Sequence, residues 1–184
     1  RRKVEEVIDF LDLQHYRDTR VVGLPYGIRK VVELARALCT EPKLLLLDEP
    51  LSNLDAASRL ELRSMLRGLV REKGLTVLCV LHDQKDALAM ADRLGVMRGG
   101  KVIQSGLPID VYRRPIDSWT ATFLGMANLF KGKVLQVGAG EFIAQTDLGE
   151  VRGALATPSA PPALGAAITV CIRPECLHLD AMPP

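Results

Sequence analysis

The sharpest change of pattern along the chain is the run Leu44-Leu45-Leu46-Leu47, apolar throughout, which stops at Asp48-Glu49-Pro50. Four leucines in succession predict a strand buried on both faces, as in a parallel sheet covered by helices. From Ala56 the period changes. Leu62, Met65, Leu66, Leu69 and Val70 recur at helical spacing, and Lys73-Gly74 supply a stop signal. Thr76-Val77-Leu78-Cys79-Val80-Leu81 then reads as a second apolar strand, followed at once by His82 and Asp83. Strand, crossover helix and strand form a βαβ unit with parallel strands. Asp48, Glu49 and His82 are thereby expected at one sheet edge, the carboxyl end where ligands gather in such folds.

The same reading extends outward. Val4, Val7, Ile8 and Leu11 predict an amphipathic helix within residues 1–16, and a second helix is expected over residues 31–38. Residues 84–92 read as a helix with Ala87, Leu88 and Ala91 inward. Val96 to Ile103, interrupted by Gly99-Gly100, predicts a hairpin. Pro108 opens a short helix, and Ser118 is expected to cap another that carries Trp119 and Phe123 as packing residues. From Ala127 helical periodicity disappears. Short β-prone runs at residues 130–137, 141–145, 151–154 and 168–172 alternate with Gly-rich turns, and residues 157–165, rich in Pro and Ala, read as a loop.

Composition narrows the picture. With 184 residues, 48% apolar and only 4% aromatic, the chain suits one aliphatic-cored domain and a small second one. A net charge of +2 gives no electrostatic footprint for nucleic acid. No apolar run approaches the roughly eighteen residues of a membrane span, and no signal-peptide pattern opens the chain. Cys39, Cys79, Cys171 and Cys176 lack metal-site spacing and read as reduced structural thiols.

An acidic pair and a histidine at a shared strand edge have a definite chemical use. One carboxylate can hold hydrated Mg²⁺, the second can deprotonate an attacking water, and the imidazole can contact a terminal phosphate. Loop opening and helix capping account for the same residue types. Further spacing decides between the two. LPYGIRKVVELARAL at residues 24–38, LLLLDEP at 44–50, SNLD at 52–55 and the strand-terminal His82 resemble, in order and spacing, the signature loop, Walker B strand, D-loop and switch histidine of the ATPase subunits of ABC (ATP-binding-cassette) transporters. The resemblance runs over residues 1 to about 126 and includes the tail RGGKVIQSGLPIDVYRRPIDSWTATFLG.

The resemblance implies an α/β fold, the C-terminal part of a P-loop NTPase with parallel sheet and helical subdomain, with ATP and Mg²⁺ as cofactors. It implies Asp48 on Mg²⁺, Glu49 as general base and His82 on the γ-phosphate. Leu24, Pro25, Tyr26, Gly27 and Ile28 are the implied nucleotide-binding signature, with Gly27 permitting close approach of backbone to the phosphate of ATP held by a second subunit. Asp55 is expected both to cap the helix from Ala56 and to meet that subunit. Pro25, Tyr26 and Ile28 depart from the common LSGGQ; LPYG resembles the variant of branched-chain amino acid transport ATPases. No Gly-x-x-x-x-Gly-Lys-Ser/Thr occurs in the sequence. Binding ATP at about 0.1 mM needs roughly 5.5 kcal/mol, whereas a helix N-terminus offers an anion at most about 2 kcal/mol. The chain is therefore expected to be inactive alone and to be the C-terminal part of a longer polypeptide.

Residues 127–184 are expected to form an all-β unit. ANLFKGKVL and VCIRPECLHL resemble the transport-associated OB-like domain of sugar, polyamine, iron and molybdate importers, and a barrel incomplete within this chain is expected. Together the resemblances imply an importer ATPase, a homodimer or paired with a second ATPase subunit, peripheral at the cytoplasmic face of the membrane beneath transmembrane permease subunits and indirectly serving a solute-binding protein. Two other readings are a non-transport ABC ATPase, and a non-catalytic regulatory fragment in which the OB-like part binds a ligand and the cassette part docks.

Overall fold

The computed structural model describes residues 1–177; residues 178–184, including the last two of VCIRPECLHL, lie outside the described residues. The chain divides into two units, Arg1–Asp86 and Ala87–Pro184. The composition break at Ala127 falls within the second.

The first unit opens with α1 (Arg2–Phe10), shorter than the amphipathic segment expected to reach Tyr16. Leu11 ends it, Asp12 takes a left-handed conformation (φ +54°), and residues Gln14–Tyr16 make a single 3₁₀ turn. Asp tolerates that conformation better than most residues, which explains the break. α2 (Tyr26–Leu38) starts five residues earlier than its apolar periodicity suggests and buries Val31, Leu34 and Ala35. β1 (Leu44–Asp48) follows, then α3 (Ala56–Lys73) and β2 (Thr76–Val80). α3 buries Leu62, Leu66 and Leu69, one stripe at helical spacing, and Gly74 at φ +61° closes it with Arg71 and Lys73 in its last turn.

β1 and β2 are parallel, with Leu45 beside Val77, Leu47 beside Cys79 and Asp48 beside Val80. Burial alternates strictly across this pair. Leu45 is buried and Leu47, Val77 and Cys79 are half-buried, whereas Leu44, Leu46, Leu78 and Val80 are exposed. The expectation of burial on both faces is therefore corrected: Leu46 is 64% and Leu78 57% exposed. Among the described residues this sheet has two strands and covers one face only. α2, β1 and α3 border a half-open cleft of about 270 Å³ whose lining includes Leu34, Leu45, Leu62 and Leu66 and, at its edge, Leu46 and Asp48. Burial pushes the inward Cys79 thiol up to about 11, which keeps it protonated and unreactive.

α4 (Gln84–Met90) leads into the second unit. Asp86 is its buried residue; Ala87, Leu88 and Ala91, expected inward, are only half-buried. β3 (Leu94–Arg98) and β4 (Lys101–Gly106) form the expected hairpin. Gly99 and Gly100, at φ +56° and +75°, supply its turn. α5 (Pro108–Arg113) and α6 (Ser118–Phe123) follow, around a core of Val96, Val111 and Leu124. The cap of α6 is Asp117, not Ser118: the Thr120 N–H donates to Asp117 Oδ1 at 2.7 Å. Trp119 and Phe123 stack at 4.7 Å between centroids.

β5 (Asn128–Gly138), β6 (Glu141–Thr146), β7 (Gly149–Ala154) and β8 (Ala167–Ile172) make an antiparallel sheet in the order β7-β6-β5-β8. Val134, Ala144 and Val170 are its buried residues with Thr146. Arg173, just past β8, ties this sheet to α5 and α6. Its Nη1 donates to the carbonyls of Ala121 (2.8 Å) and Met126 (3.1 Å), its Nη2 to that of Tyr112 (3.2 Å), and its guanidinium lies over the Tyr112 ring. Both terminal nitrogens of this buried cation are thus satisfied by carbonyls of α5, of α6 and of the segment after α6, while Nε is left without a partner.

The one-sided sheet makes a contrast measurable by denaturant unfolding of the chain. Leu69→Ala, at a position with 0% exposure, is expected to cost about 2–5 kcal/mol. Leu46→Thr, on the open face, is expected to change stability by no more than about 0.5 kcal/mol.

Candidate functional site

The site begins with the parallel register. Because Asp48 lies beside Val80, the next residue on each strand reaches the same edge, and the Glu49 N–H donates to the Val80 carbonyl at 2.9 Å. Glu49 then turns away from the strand with φ +46°, a conformation that a non-glycine residue adopts only at some cost. Its carbonyl is held by Ser52, which donates from N at 3.1 Å and from Oγ at 2.9 Å. The Glu49 side chain meets His82, with Oε1 2.5 Å from Nε2. His82 is otherwise open to solvent, its side chain 86% exposed. Asp48, also exposed, sits beside this pair.

The second group of expected site residues lies where α2 and α3 begin. Leu24 is buried, Pro25 is the N-cap residue of α2, and Tyr26, Gly27 and Ile28 form the first helical turn rather than a loop. No side chain caps this end, so its first backbone N–H groups remain available to an anion. Arg29 and Lys30 lie 5.5 and 5.7 Å from the Tyr26 ring centroid and add positive charge. A Cβ on Gly27 would lie 3.5 Å from Ser58 Oγ and 3.6 Å from Leu54 Cδ2, ordinary contacts, which place this turn against the start of α3.

Asp55 caps α3. Its Oδ1 accepts from the N–H groups of Ala57 and Ser58, both at 3.0 Å, and its Oδ2 from Ser58 Oγ at 2.7 Å. The Ser58 amide first, then the Ser58 hydroxyl and the Ala57 amide, hold the Asp55 carboxyl below its usual range. The nine expected residues therefore form two clusters: Asp48, Glu49 and His82 at the strand ends, and residues 24–28 with Asp55 at the helix starts.

Sequence reasoning missed a third group. Asp83 caps α4, its Oδ1 accepting from the N–H groups of Lys85 (2.8 Å) and Asp86 (3.4 Å). Arg59 Nη1 lies 3.1 Å from Asp83 Oδ2 and 3.8 Å from Asp86 Oδ2; Arg63 Nη1 lies 3.2 Å from Asp86 Oδ1. An Asp directly before a helix was a usable capping signal. Asp86, a charge beside Ala87 on a short helix, gave none.

Residues 1–52 match the family model described as ABC transporter. The spermidine/putrescine import ATP-binding protein PotA of Mycoplasma genitalium is 43% identical over 152 residues, 80% of this chain and 27% of that protein. The chain is homologous to the ATP-binding domains of ABC transporters.

It spans about a quarter of the length of that curated relative. Solved ABC cassettes share the fold. One is cbiO1 from Clostridium perfringens, part of the ABC transporter complex cbiONQ, at 32% identity and TM-score 0.58 over 60% of this chain and 44% of that one. Another is an ATP-binding cassette in its ADP conformation, at 28% identity and TM-score 0.60 over 66% of this chain and 48% of that one. An inward-facing putative metal-chelate type ABC transporter, at 24% identity and TM-score 0.61, covers 82% of this chain and 56% of that one, a likeness of fold.

The ABC fold implies Mg²⁺ with ATP, and the donor set fits that ion. Among the described residues no three His, Cys, Asp or Glu side chains form a metal cage. Mg²⁺ does not need one, since it is commonly held by one or two carboxylates, water and substrate phosphates. Asp48, a single exposed carboxylate at the strand end, suits that use.

Asp55 gives a pH test. A carboxyl with a depressed folded-state pKa contributes stability above its unfolded value of about 3.9, and that contribution is lost as pH falls through the folded value. Asn keeps the cap without titrating. The stability advantage of the parent chain over Asp55→Asn is expected to be constant from pH 7 to about pH 5 and to shrink below about pH 4. Thermal unfolding of both proteins across that range measures it.

Proposed function

We propose that this chain supplies the Walker B, signature, D-loop and switch-histidine elements of the ATP-hydrolysing subunit of an ABC importer. The observation that carries the reading is the Glu49–His82 contact of 2.5 Å at the shared edge of two parallel strands, with Asp48 beside it. This reading requires a phosphate loop in addition to these elements.

Asp48 would hold Mg²⁺ through water, and when bound the ion offsets charge on the ATP phosphates. Glu49 takes the proton of the attacking water. Its Oε1 lies against His82 Nε2. Contact of His82 with the γ-phosphate requires Nε2 to leave that carboxylate oxygen. The uncapped start of α2, with Arg29 and Lys30 beside it, faces the terminal phosphate held by a second ATPase subunit. Asp55 meets that subunit while capping α3.

The importer assignment is supported by the polyamine-import relative and by the four-stranded antiparallel sheet that follows the cassette elements, proposed as an OB-like transport-associated domain over residues 127–184. The partners are a second ATPase subunit, transmembrane permease subunits and, through them, a solute-binding protein. Among the described residues no helix is long and apolar enough to cross a membrane. A peripheral position at the cytoplasmic face, beneath the permease, follows from the proposed role.

In the ATPase assembled with its phosphate loop, Glu49→Gln is expected to slow hydrolysis by about 10²-fold or more while ATP still binds. Single-turnover hydrolysis and equilibrium nucleotide binding measure the two quantities. Unchanged turnover would remove Glu49 from the role of base.

A further inference from the structure

We propose that Arg59 is a positioning residue for ATP hydrolysis: through Asp83 it fixes the His82 loop to the start of α3 and thereby holds the His82–Glu49 pair. The inference rests on the ATPase reading above. His82 lies between the end of β2 and the start of α4, with its side chain almost wholly in solvent, so packing does not set its place. Its position depends on what flanks it.

On one flank, β2 is fixed to β1 by the parallel ladder. On the other, Asp83 divides its two oxygens. Oδ1 accepts the N–H groups that start α4, and Oδ2 takes Arg59 Nη1 at 3.1 Å. Arg59 sits in the turn of α3 that Asp55 caps, and its own N–H donates to the Asp55 carbonyl at 2.9 Å. One turn of helix thus holds the D-loop aspartate through its backbone and the switch-histidine loop through its guanidinium. Asp86, 3% exposed, anchors the far side by taking Arg63 at 3.2 Å and Arg59 at 3.8 Å. Arg63 is paired with Asp86 alone in this cluster, whereas Arg59 reaches Asp83 as well. The planar guanidinium suits two carboxylates at once, which a point charge matches less well.

The difference between the two arginines separates positioning from scaffolding. In the ATPase assembled with its phosphate loop, kcat, KM for ATP and the unfolding midpoint are measured for each variant. Arg59→Ala is expected to lower kcat about 10-fold with KM within about twofold, the signature of misplaced catalytic groups rather than lost binding. Asp83→Asn keeps an oxygen to cap α4 but loses the charge; it should reproduce that loss, and the double variant should add little to it. Arg59→Lys, which keeps the charge but not the planar fork, should recover only part of the rate. Arg63→Ala should lower the unfolding midpoint about as much as Arg59→Ala while leaving kcat within about twofold. Where Arg59→Ala does not fold, Asp83→Asn and Arg59→Lys carry the same comparison. An unchanged kcat in Arg59→Ala or Asp83→Asn, with Glu49→Gln inactive, overturns the positioning role and leaves the ATPase reading standing. Equal kcat losses in the Arg59 and Arg63 variants also overturn it. Full turnover in Glu49→Gln removes Glu49 as base and the role of Arg59 with it, whereas no ATP hydrolysis by the parent assembly removes the ATPase reading itself.

Discussion

The parallel pairing of Leu44–Asp48 with Thr76–Val80 is the constraint from which the site follows. Parallel strands joined by a helix end at the same edge, so residues more than thirty positions apart are delivered together. A slip of one residue would turn Leu45, Leu47, Val77 and Cys79 outward and carry Glu49 away from His82. The burial of Leu45 and of the α3 stripe therefore opposes any register in which the two functional groups separate. Core packing and chemistry are selected by one register.

The same pairing explains why polar and strained features concentrate just beyond the strands. Glu49 leaves β1 in a left-handed conformation, and the Ser52 bonds to its carbonyl hold the turn. Asn53, two residues before the Asp55 cap, is also left-handed at φ +57°. Both of these departures, at Glu49 and Asn53, sit between an aliphatic strand and a capped helix, where the flanking elements are rigid enough to sustain them. Asp55 and Asp83 cap the two helices that follow, and Arg59 joins the turn begun by one to the carboxylate of the other.

Much of this was legible because it rests on local chemistry and strict periodicity. The two strands, the α3 stripe, the Gly99-Gly100 turn and the Asp55 cap each depend on neighbours within a few residues. The carboxylate and histidine positions followed from βαβ topology alone. The burial of the Leu44–Leu47 run was misjudged because a continuous apolar run implies two covered faces, and nothing in the run says whether both covers are supplied by the described residues. Ser118 was expected as the cap of α6; Asp117, one residue earlier and of a type that also caps, takes the role because its backbone is extended there. The Arg59–Asp83–Asp86 cluster was invisible, since ion pairs across helices depend on tertiary distance and leave no periodic trace.

The strand register brings the Glu49 carboxylate to within 2.5 Å of Nε2 of His82. Nitrogen-15 NMR of the His82 imidazole in this chain tests it directly, comparing the parent with Glu49→Ala at one pH. The register predicts a marked shift of the Nε2 signal when the carboxylate is removed. An Nε2 signal indifferent to the loss of Glu49 would contradict it.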